Sequence, residues 1–581
     1  MIVILIYDFE VFKYDWLVVL SDIKNKDNTI IVNDTNLLRD FYEAHKYDIW
    51  VGFNNKNYDQ YILKGILKGY NPYEISKFII IDGKQGFDYA EDINSILLYS
   101  YDVFNTLKHG LKYYEGSMGD SIKESSVPFD IDRKLTVDEI EETKKYCLHD
   151  VLETTKILFE RIDDFNAQLG LCKLSRPQYI SKTQTQLASL ILKADPISYT
   201  ADEFQIDVPT NLKLNKYSFV KDWYLNFDNK SYDKQLEVDI AGVPHIFAWG
   251  GLHGATERMH FKGRILLMDV ASLYPSLMIN YNLLSRAVEK QEIYKDLRDK
   301  RINYKKAHNP LQLPLKLVLN KTYGAMKDKN NSLYDPRQAN RVCIYGQLLI
   351  LDLIEHIEPY CILLQTNTDG IMILLNDDVT YEDIKNIVTE WETRTGLTLE
   401  ITKAMELWQK DVNNYILKIN DKDIKSKGGY VKPYDILDNG DYPIVDKAII
   451  DYFTKGISIE DTINNAKNLI DFQLIVKLTG KFINLYHGDK KLNEKCIRVF
   501  ANLDKNAPTV YKEHIDTKKL HKVSNAPEHV FIFNDSVLNV DIPSNLDRKF
   551  YINLAKDRCS DFVTVGDDKT NDIVRKGWSE G

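Results

Sequence analysis

The chain has 581 residues, of which 44% are hydrophobic and 28% charged, and its formal net charge is −10. This length exceeds that of a typical single domain, so we expect about three to five domains with sizeable buried cores. The six cysteines are scattered without a Cys-x-x-Cys pair, and no stretch approaches the ~18 apolar residues of a membrane span. These features argue against a zinc ribbon and a disulfide framework, and we expect a soluble protein of the reducing cytoplasm without a membrane partner.

The first predicted element is a buried strand. Residues 2–7 form the apolar run IVILIY, which is typical of a strand buried on both faces. The run leads into Asp8-Phe9-Glu10, and strand alternation puts Asp8 and Glu10 on the same face. Two neighbouring carboxylates repel each other unless a cation lies between them. Alone, this pattern is common and indicates little.

A second strand, IWVGFN, is predicted over residues 49–54 and leads into NNKNYDQYIL. Asp59 opens a helix with an apolar pattern there, and Asn55 precedes it by about one turn. This helix therefore brings a further carboxylate close to the end of a strand.

A third candidate lies in the helix that follows Thr136. Thr136 and Glu139 form a capping-box pattern. The residues expected to form the core stripe of this helix are Ile140, Cys147, Val151 and Leu158. Tyr146 and Asp150, at positions i and i+4, project together just beside that stripe. The alternative interpretation makes Tyr146 a half-buried packing residue and Asp150 a solvated charge.

Together these elements supply four carboxylates, which can bind two Mg²⁺ ions and clamp a phosphodiester for hydrolysis. The four are Asp8, Glu10, Asp59 and Asp150. The order Asp-x-Glu, Asn-x-x-Tyr-Asp and Tyr-x-x-x-Asp resembles the 3′–5′ proofreading exonucleases of the DnaQ-like superfamily. The resemblance implies an RNase H-like domain over residues 1–165 that takes single-stranded DNA 3′ ends. It also implies that Tyr146 helps to place the attacking water and that Asn55 contacts DNA.

Residues 166–235 carry mixed patterns and are expected to form a connecting segment. The next clear element is GRILLMDV, residues 263–270, a short apolar strand with Asp269 near its end. The stretch SLYPS, residues 272–276, follows it directly. An Asp at a strand end beside a tight turn can hold a metal while backbone N–H groups face a triphosphate.

A basic element follows this strand. Residues 289–329 contain eleven Lys or Arg against five Asp or Glu, a local excess of positive charge in an acidic chain. This excess favours a local phosphate contact, and a solvated basic helix is the alternative. Since 47 residues separate Asp269 from Lys316, there is room for little more than a helix, the turn AHNP and a returning helix.

The returning helix contains KLVLNKTYG, in which Lys316, Asn320 and Tyr323 lie at i, i+4 and i+7 on one face. Lysine is a point cation suited to phosphate, and an aromatic ring on that face can pack against a base. The alternative is an ordinary amphipathic helix with a snorkelling lysine.

A hairpin is predicted over LLQTNTDGIMI, residues 363–373, because apolar runs flank an Asp-Gly pair. Asp369 lies at its tip. From this segment alone, Asp369 is either a turn residue or a metal ligand.

Several of these stretches resemble sequence motifs of the family B DNA polymerases. DVASLYPS matches motif A, Asp-x-x-Ser-Leu-Tyr-Pro-Ser, and KLVLNKTYG matches motif B, Lys-x-x-x-Asn-Ser-x-Tyr-Gly, apart from Lys321 at the serine. TNTDGI falls where motif C, Tyr-x-Asp-Thr-Asp-Ser, is expected, with Asn367 at its first aspartate. FAWGGLHGA, around Gly250 and Gly251, resembles the Tyr-x-Gly-Gly element that links exonuclease to polymerase, with Ala248 at the tyrosine.

The resemblance implies an α/β multidomain fold, in which an RNase H-like exonuclease domain is followed by a right-hand polymerase. The palm is then expected over residues 236–287 and 328–430, and small helical-hairpin fingers over residues 288–327. Residues 431–581 are expected to form the thumb and a C-terminal subdomain. Their patterns are helix-like over residues 459–478 and strand-like over residues 529–535.

The resemblance also implies site residues and ligands. Two Mg²⁺ ions per active site are expected, with Mn²⁺ as an alternative, and the polymerase metal ligands fall at Asp269, Val270 and Asp369. The implied nucleotide-binding residues are Ser272, Leu273, Tyr274, Arg298, Arg301, Lys305, Lys316, Asn320 and Tyr323. Tyr274 would lie under the sugar and exclude a 2′-hydroxyl. The implied DNA-binding residues are Asn55, Gly250, Gly251, Lys410 and Tyr415, the last two against the primer strand.

The leading interpretation is a template-directed DNA polymerase with 3′–5′ proofreading that replicates viral or mobile-element DNA. Its partners would be primer-template DNA, deoxynucleoside triphosphates and replication accessory proteins. Protein-primed phage polymerases carry large insertions between these motifs, and there is no room here for the larger one. Two alternatives stay open: a polymerase that also starts chains without a primer, and a catalytically degenerate polymerase kept as a replication scaffold.

Overall fold

The structure of the chain is a computed structural model that describes residues 3–174, 176–256, 258–438, 441–562 and 572–578. Its strands are β1 Ile4–Val11, β2 Trp16–Asp22, β3 Asn28–Val32, β4 Ile49–Gly52, β5 Tyr99–Asp102, β6 Gln235–Ile240, β7 Val243–Ala248, β8 His253–Ala255, β9 Met259–Val270, β10 Cys361–Asn367, β11 Gly370–Leu375, β12 Leu399–Asp411, β13 Asn414–Lys418, β14 Ile424–Lys427, β15 Leu474–Lys477, β16 Phe482–His487, β17 Lys490–Lys491, β18 Cys496–Ala501, β19 Val510–His514, β20 Leu520–Lys522, β21 Val530–Ile532 and β22 Asp572–Val574. Its α-helices are α1 Thr35–His45, α2 Asp59–Lys68, α3 Pro72–Ile80, α4 Leu111–Ser117, α5 Val137–Glu160, α6 Ile162–Leu174, α7 Gln184–Ile191, α8 Ser218–Leu225, α9 Leu273–Asn280, α10 Glu292–Lys306, α11 Gln312–Lys327, α12 Pro336–Ile357, α13 Tyr381–Thr395, α14 Pro443–Lys455, α15 Ile459–Asn465 and α16 Arg548–Ser560. The predicted α/β multidomain class is confirmed by this mixture of helices and several separate sheets.

Tertiary contacts divide the described residues into two compact units. The first unit takes those within Met1–Thr183, Asp435–Asp441 and Lys467–Asp547. The second unit takes those within Gln184–Tyr434, Tyr442–Ala466 and Arg548–Gly581. The segment expected to form the thumb and a C-terminal subdomain, residues 431–581, is therefore shared between both units.

The main sheet of the first unit has β1 at its centre, in the strand order β3-β2-β1-β4-β5. β1 contains the apolar strand predicted from residues 2–7 and continues to Val11. Tyr7 and Phe9 face one core, while Ile6 faces the other core together with residues of α5. Because side chains alternate along a strand, Asp8 and Glu10 lie on the same face as Ile6, toward α5.

α5 begins with the predicted capping box. The Thr136 side chain accepts from the backbone of Glu139, and the Glu139 side chain accepts from the backbone of Thr136. In the predicted core stripe, Cys147, Val151 and Leu158 are buried. The position of α5 against β1 therefore follows from a cap and an apolar stripe that are both visible in the sequence.

Residues 467–547 form two small sheets, with strand orders β15-β18-β21 and β17-β16-β19-β20. Arg498 on β18 is fully buried. Its guanidinium donates to Oε1 of Gln473 at 2.8 Å and to the carbonyls of Gly116 and Asp120 at 3.0 and 2.7 Å. These bonds attach the segment to the end of α4, which explains its place in the first unit. The strand predicted within residues 529–535 is confirmed as β21.

The helix predicted across residues 459–478 is wrong beyond Asn465, where α15 ends. Leu474–Lys477 forms β15 instead, antiparallel to β18. Leu474 and Val476 are buried, while the residues between and after them are half-exposed. Burial against a paired strand therefore outweighs the local helical pattern.

The main sheet of the second unit has the strand order β14-β13-β12-β9-β11-β10-β8-β7-β6, and β22 also pairs with β9. β9 lies between β12 and β11, antiparallel to both. This register places Asp269 directly opposite Gly370 on one side and Glu400 on the other. The hairpin predicted over residues 363–373 is confirmed as β10 and β11.

The basic element forms the predicted pair of helices, α10 and α11, joined by a short turn. The hydroxyl of Tyr294 on α10 donates to the carbonyl of Leu319 on α11 at 2.9 Å. Val318 and Leu319 are buried, while Lys316 and Asn320 are exposed. Across the described residues, no helix is long and apolar enough to cross a membrane.

Candidate active sites

The first unit brings the four predicted carboxylates together. Glu10, Asp59 and Asp150 are 6%, 4% and 7% exposed. Burial, together with Asp59 and Asp150, raises the pKa of Asp8 well above its ordinary value. Burial, together with Asp8, Asp150 and Asp59, does the same to the pKa of Glu10. Asp8 and Glu10 therefore lie in the field of the other carboxylates, an arrangement that a bound cation would stabilise.

Backbone elements fix these side chains individually. Asp8 and Glu10 project from β1 toward α5, and Asp150 projects from α5 itself. Asp59 is the first residue of α2, and its Oδ1 accepts a hydrogen bond from the backbone N–H of Phe9 at 3.1 Å. Burial raises the pKa of Asp59 to about 7 and that of Asp150 to about 6. The alternative in which Asp150 is a solvated charge is wrong, because the residue is buried.

A lysine that the sequence did not single out lies within this cluster. Nζ of Lys112, on α4, is 2.6 Å from Oδ1 of Asp150 and 3.0 Å from Oε1 of the fully buried Glu115. The same Nζ lies 4.5 Å from the centre of the Tyr146 ring. The cluster therefore contains an internal cation. Lys112 and Glu115 are spaced i and i+3 on a helix, but this spacing is too common to have marked them.

Tyr146 and Asn55 occupy different environments. Tyr146 is half-buried, and burial together with Asp150 raises its pKa, so its hydroxyl keeps its proton. It lines a cavity of about 520 Å³ with the loop 122–126, Asn493 and Asn534. Asn55 is fully buried, and its Nδ2 donates to Oγ of Ser100 at 3.1 Å. Its Nδ2 is thus used within the protein, where it ties the loop before α2 to β5.

In the second unit, Asp269 and Asp369 line one cavity of about 430 Å³. The charged residues around it are Asp269, Asp369, Glu400, Arg301, Lys305, Lys425 and Lys427. The backbone N–H of Val270 donates to the carbonyl of Asp369 at 2.7 Å, which fixes the strand end against the turn. A Cβ on Gly370 would lie 2.2 Å from Oδ1 of Asp269, so the absence of a side chain there leaves space for that carboxylate. Asp369 is therefore a turn residue and a cavity carboxylate at once.

The turn that carries Asp369 is held by the chain before β8. Thr368 has a positive φ of 28°, and its N–H donates to the carbonyl of Leu252 at 2.7 Å. A Cβ on Gly251 would lie 2.7 Å from Oγ1 of Thr368. Asn367 pairs with His253 across the β10–β8 ladder. Gly251 is thus packed closely against the Thr368 side chain, and a larger residue there would have to displace it.

The groups around Asp269 shift its pKa in opposite directions. Burial raises the pKa of Asp269, Lys425 lowers it, and Asp369 and Glu400 raise it. Nζ of Lys425 lies 4.0 Å from Oδ2 of Asp269. Burial and the two aspartates raise the pKa of Tyr415 to about 12, and this residue lines the same cavity. The site therefore combines carboxylates with nearby cations, as a site for a metal-bound polyphosphate requires.

Two predicted aromatic residues meet beside this cavity. The rings of Tyr274 on α9 and Tyr323 on α11 have centroids 4.3 Å apart at 40°. The hydroxyl of Tyr323 lies 2.6 Å from Sγ of Cys343, which fixes its ring. Ser272 precedes α9 with a left-handed φ of 51°, and Nη1 of Arg301 lies 3.5 Å from its Oγ.

Other predicted residues lie elsewhere. Lys316 and Asn320 are exposed on α11 and do not line the cavity. Arg298 forms an ion pair with its neighbour Asp299 at 2.9 Å. Nζ of Lys410 lies 2.9 Å from Asp561 and 4.0 Å from the ring centre of Tyr430. Val270 is a buried apolar residue that lines the cavity. Leu273 is also buried, and the carbonyl of Gly250 accepts a hydrogen bond from Gln347.

Glu400, Lys425 and Lys427 are cavity residues that sequence reasoning missed. Glu400 carries no local signal, because only the pairing of β12 with β9 brings it beside Asp269. Lys425 and Lys427 are two residues apart on β14, and strand alternation places both on one face. The i, i+2 spacing of the two lysines is visible in the sequence, but it indicates a shared face only if residues 424–427 are predicted to form a strand.

Comparisons with known proteins add little to this geometry. Neither a family model nor a curated protein matches the chain. Among solved structures, the chain is similar to the family B DNA polymerase from the hyperthermophilic archaeon Pyrobaculum calidifontis, with 12% identity and a TM-score of 0.44. The likeness covers 98% of this chain and 79% of that chain. A likeness this weak carries no functional argument, so the function has to be inferred from the sites.

Proposed function

We propose that the chain is a template-directed DNA polymerase with a 3′–5′ exonuclease, the polymerase site in the second unit and the exonuclease site in the first. The observation that carries the proposal is the cavity in which Asp269 and Asp369 meet Arg301 and Lys305. One carboxylate from β9, one from the turn between β10 and β11, and two cations from a neighbouring helix are the parts that nucleotidyl transfer needs. The order of the motifs along the chain supports the same reaction.

The donor set at both sites fits Mg²⁺. Carboxylate oxygens are the hard ligands that Mg²⁺ prefers. Burial and neighbouring carboxylates raise the pKa of Asp8, Glu10 and Asp269, and an added cation would favour their charged forms. At the polymerase site Asp269 and Asp369 would hold the ions, with Val270 contributing its carbonyl because its side chain is apolar. When bound, the ions supply Lewis-acid activation and charge neutralisation at the reacting phosphate.

The protein's own groups supply alignment at the polymerase site. Arg301 and Lys305 contact the triphosphate from α10, and Lys316 joins them from α11 when nucleotide is bound. Tyr274 lies under the sugar, and Tyr323 packs on Tyr274 beside the nascent base pair. Fixed cations near the phosphates stabilise charge without reorganising during the reaction.

At the exonuclease site, the four carboxylates would hold the metal ions, which would supply charge neutralisation at the scissile phosphate, and Tyr146 helps to place the attacking water. Asn55 acts from the interior by holding the loop before Asp59. The corresponding domains are an RNase H-like exonuclease over residues 1–165, a palm over residues 236–287 and 328–430, and fingers over residues 288–327. Proofreading and a role in viral or mobile-element replication belong to the same proposal.

The test is extension of a primed template by the full chain with Mg²⁺ and deoxynucleoside triphosphates. We expect extension when nucleotides are present and degradation of the primer 3′ end when they are omitted. Asp269→Ala should abolish extension and keep degradation, which separates the two sites. A chain that binds primer-template but neither extends nor degrades it would contradict the proposal and support the scaffold alternative.

A further inference from the structure

The small sheet β17-β16-β19-β20 of the first unit carries a row of four side chains across its strands. In the observed register Lys491 lies opposite Tyr486, Tyr486 opposite Tyr511, and Tyr511 opposite Lys522. Directly opposite residues of antiparallel strands project to the same face. Two neighbouring tyrosines are therefore flanked by a lysine on each side, an arrangement that the pairing of four separate segments creates.

This row lies on the outer face of the sheet. Leu485 and Val510, which alternate with the tyrosines, are fully buried on the opposite face. Lys491 and Lys522 are exposed, and both tyrosines are partly exposed. The hydroxyl of Tyr486 donates to Oε2 of Glu513 on the same face at 3.1 Å, which orients the ring. The ring of Tyr486 is thus oriented at the surface of the unit, next to Tyr511 on the neighbouring strand.

The surroundings of the row are basic. The segments that form this sheet, residues 481–491 and 510–522, contain seven Lys against three Asp or Glu, although the whole chain has a net charge of −10. Lys522 also forms an ion pair with Glu528 at 2.8 Å, but both partners are exposed, and such pairs contribute little. The partner that this surface fits is a polyanion that also offers flat apolar rings.

We propose that the face formed by Lys491, Tyr486, Tyr511 and Lys522 binds single-stranded DNA, with bases stacked on the tyrosines and phosphates beside the lysines. Every base offers a π-face, so stacking on paired aromatic residues holds a strand without reading its sequence. Duplex DNA hides these faces within its own stack. The proposal therefore commits to unpaired nucleotides.

The proposed DNA-binding face, called the platform, lies close to the cavity beside the carboxylate cluster of the same unit. Asn493, two residues after Lys491, lines the cavity of about 520 Å³ that also contains Tyr146. Two residues span at most about 7 Å of chain, so the edge of the platform and the edge of this cavity are neighbours. Delivery of a single-stranded 3′ end to the cluster rests on the proposed exonuclease, whereas binding of the strand to the platform does not.

The direct test is photo-crosslinking of the full chain to an oligonucleotide of thymidine and 5-bromodeoxyuridine, with EDTA present to prevent degradation. We expect crosslinks at Tyr486 or Tyr511 when the peptides are mapped by mass spectrometry. An excess of unlabelled single strand should suppress them, and an excess of blunt duplex should not. Absence of crosslinks at both tyrosines, or suppression by duplex as strong as by single strand, overturns the proposal.

Variants test the two kinds of contact separately. Tyr486→Ala with Tyr511→Ala should weaken binding of the oligonucleotide by at least about tenfold, and the corresponding Phe variants should keep it because stacking needs only the ring. Lys491→Gln with Lys522→Gln should reduce the slope of log K against log salt by about 1.4, since each lost phosphate contact removes about 0.7. Tyr47→Ala, at an exposed tyrosine elsewhere in the unit, is the matched control and should bind as the unchanged chain does.

These measurements need neither extension nor degradation, so their failure is distinguishable from failure of the proposed enzyme. Thermal unfolding of each variant identifies any that has lost its fold. Wild-type affinity and salt dependence in well-folded Ala and Gln variants would show that the surface does not bind single strands, even if the chain proves to be a polymerase.

Discussion

At the scale of single residues, Asn367 stands where the family B pattern has an aspartate, and the structure offers a different carboxylate nearby. Glu400 lies directly opposite Asp269 on β12 and lines the same cavity. Asn367 instead pairs with His253. Asp269, Asp369 and Glu400 therefore supply the negative charge at this site, and they come from segments that are far apart in sequence. Asn367 lies beside them and carries no charge.

Because of this arrangement, substitutions at Asp369 and Asn367 should differ in their effect on primer extension. Asp369→Asn removes one of the anionic ligands proposed for the metals, so primer extension should fall by several orders of magnitude. Asn367→Asp should leave extension within about tenfold, or ~1.4 kcal/mol of barrier, of the unchanged chain. Steady-state extension rates check both, and degradation of single strands serves as the control because neither variant touches that site. Normal extension by Asp369→Asn would reduce Asp369 to a turn residue.

Selection of deoxyribonucleotides over ribonucleotides is expected to depend on Tyr274. Tyr274→Ala removes a ring that packs on Tyr323 with centroids 4.3 Å apart. Ribonucleotide incorporation should rise relative to deoxynucleotide incorporation, because space for a 2′-hydroxyl opens. The measurement is the ratio of kcat/KM for the two nucleotides. If the ratio stays the same in an active variant, Tyr274 is a packing residue.

The buried carboxylates of the first unit also predict a pH dependence. Burial raises the pKa of Asp59 from 3.8 to about 7, so the folded chain holds this proton more tightly than the unfolded chain. The associated stability is present below the unfolded pKa and is lost as the pH rises through about 7. In EDTA, the Tm of the unchanged chain relative to Asp59→Asn should therefore rise as the pH falls from about 8 to about 5. A Tm difference that is flat with pH would contradict this coupling.

At the scale of elements, the contact between β9 and β11 positions the proposed polymerase site. A Cβ on Gly370 would lie 2.2 Å from Oδ1 of Asp269 and 2.8 Å from the carbonyl of Met268. The second atom belongs to the backbone, so Gly370→Ala must push the two strands apart. We expect extension to fall by about 100-fold or more, since a displacement near 1 Å at a reacting group has that effect. Extension kinetics and a thermal melt measure it.

Gly480→Ala is the matched control for this change. A Cβ there meets no atom within 4 Å, and the residue belongs to the first unit, whereas β9 and β11 belong to the second. Extension and Tm should both stay close to those of the unchanged chain. Equal losses in the two variants would mean that the Gly370 effect is not specific to the strand contact.

At the scale of the whole molecule, the carboxylates Asp8, Glu10, Asp59 and Asp150 belong to the first compact unit, and Asp269 and Asp369 belong to the second. Asp8→Ala with Glu10→Ala should abolish degradation of single-stranded 3′ ends and spare most extension, because each site uses its own ligands. Parallel assays of degradation and extension on the same preparation check this. Degradation at the unchanged rate would remove the exonuclease assignment and leave the polymerase proposal in place.

The sequence by itself determined the features that depend on short-range geometry. Strand alternation placed Asp8 and Glu10 on one face, and the capping box set the start of α5. The hairpin at Asp369 and the paired helices α10 and α11 also followed from local patterns and short connections. Such features are readable because neighbours in sequence fix them, whatever the rest of the chain does.

Only the tertiary structure decided which distant segments meet. Lys112 reaches Asp150 through the packing of the first unit, and Glu400 reaches Asp269 through the register of β12 on β9. Leu474–Lys477 became a strand because β18 was there to pair with it, and the row from Lys491 to Lys522 exists only in the register of four strands. Register and long-range packing are cooperative properties of the whole chain, so no local pattern carries them.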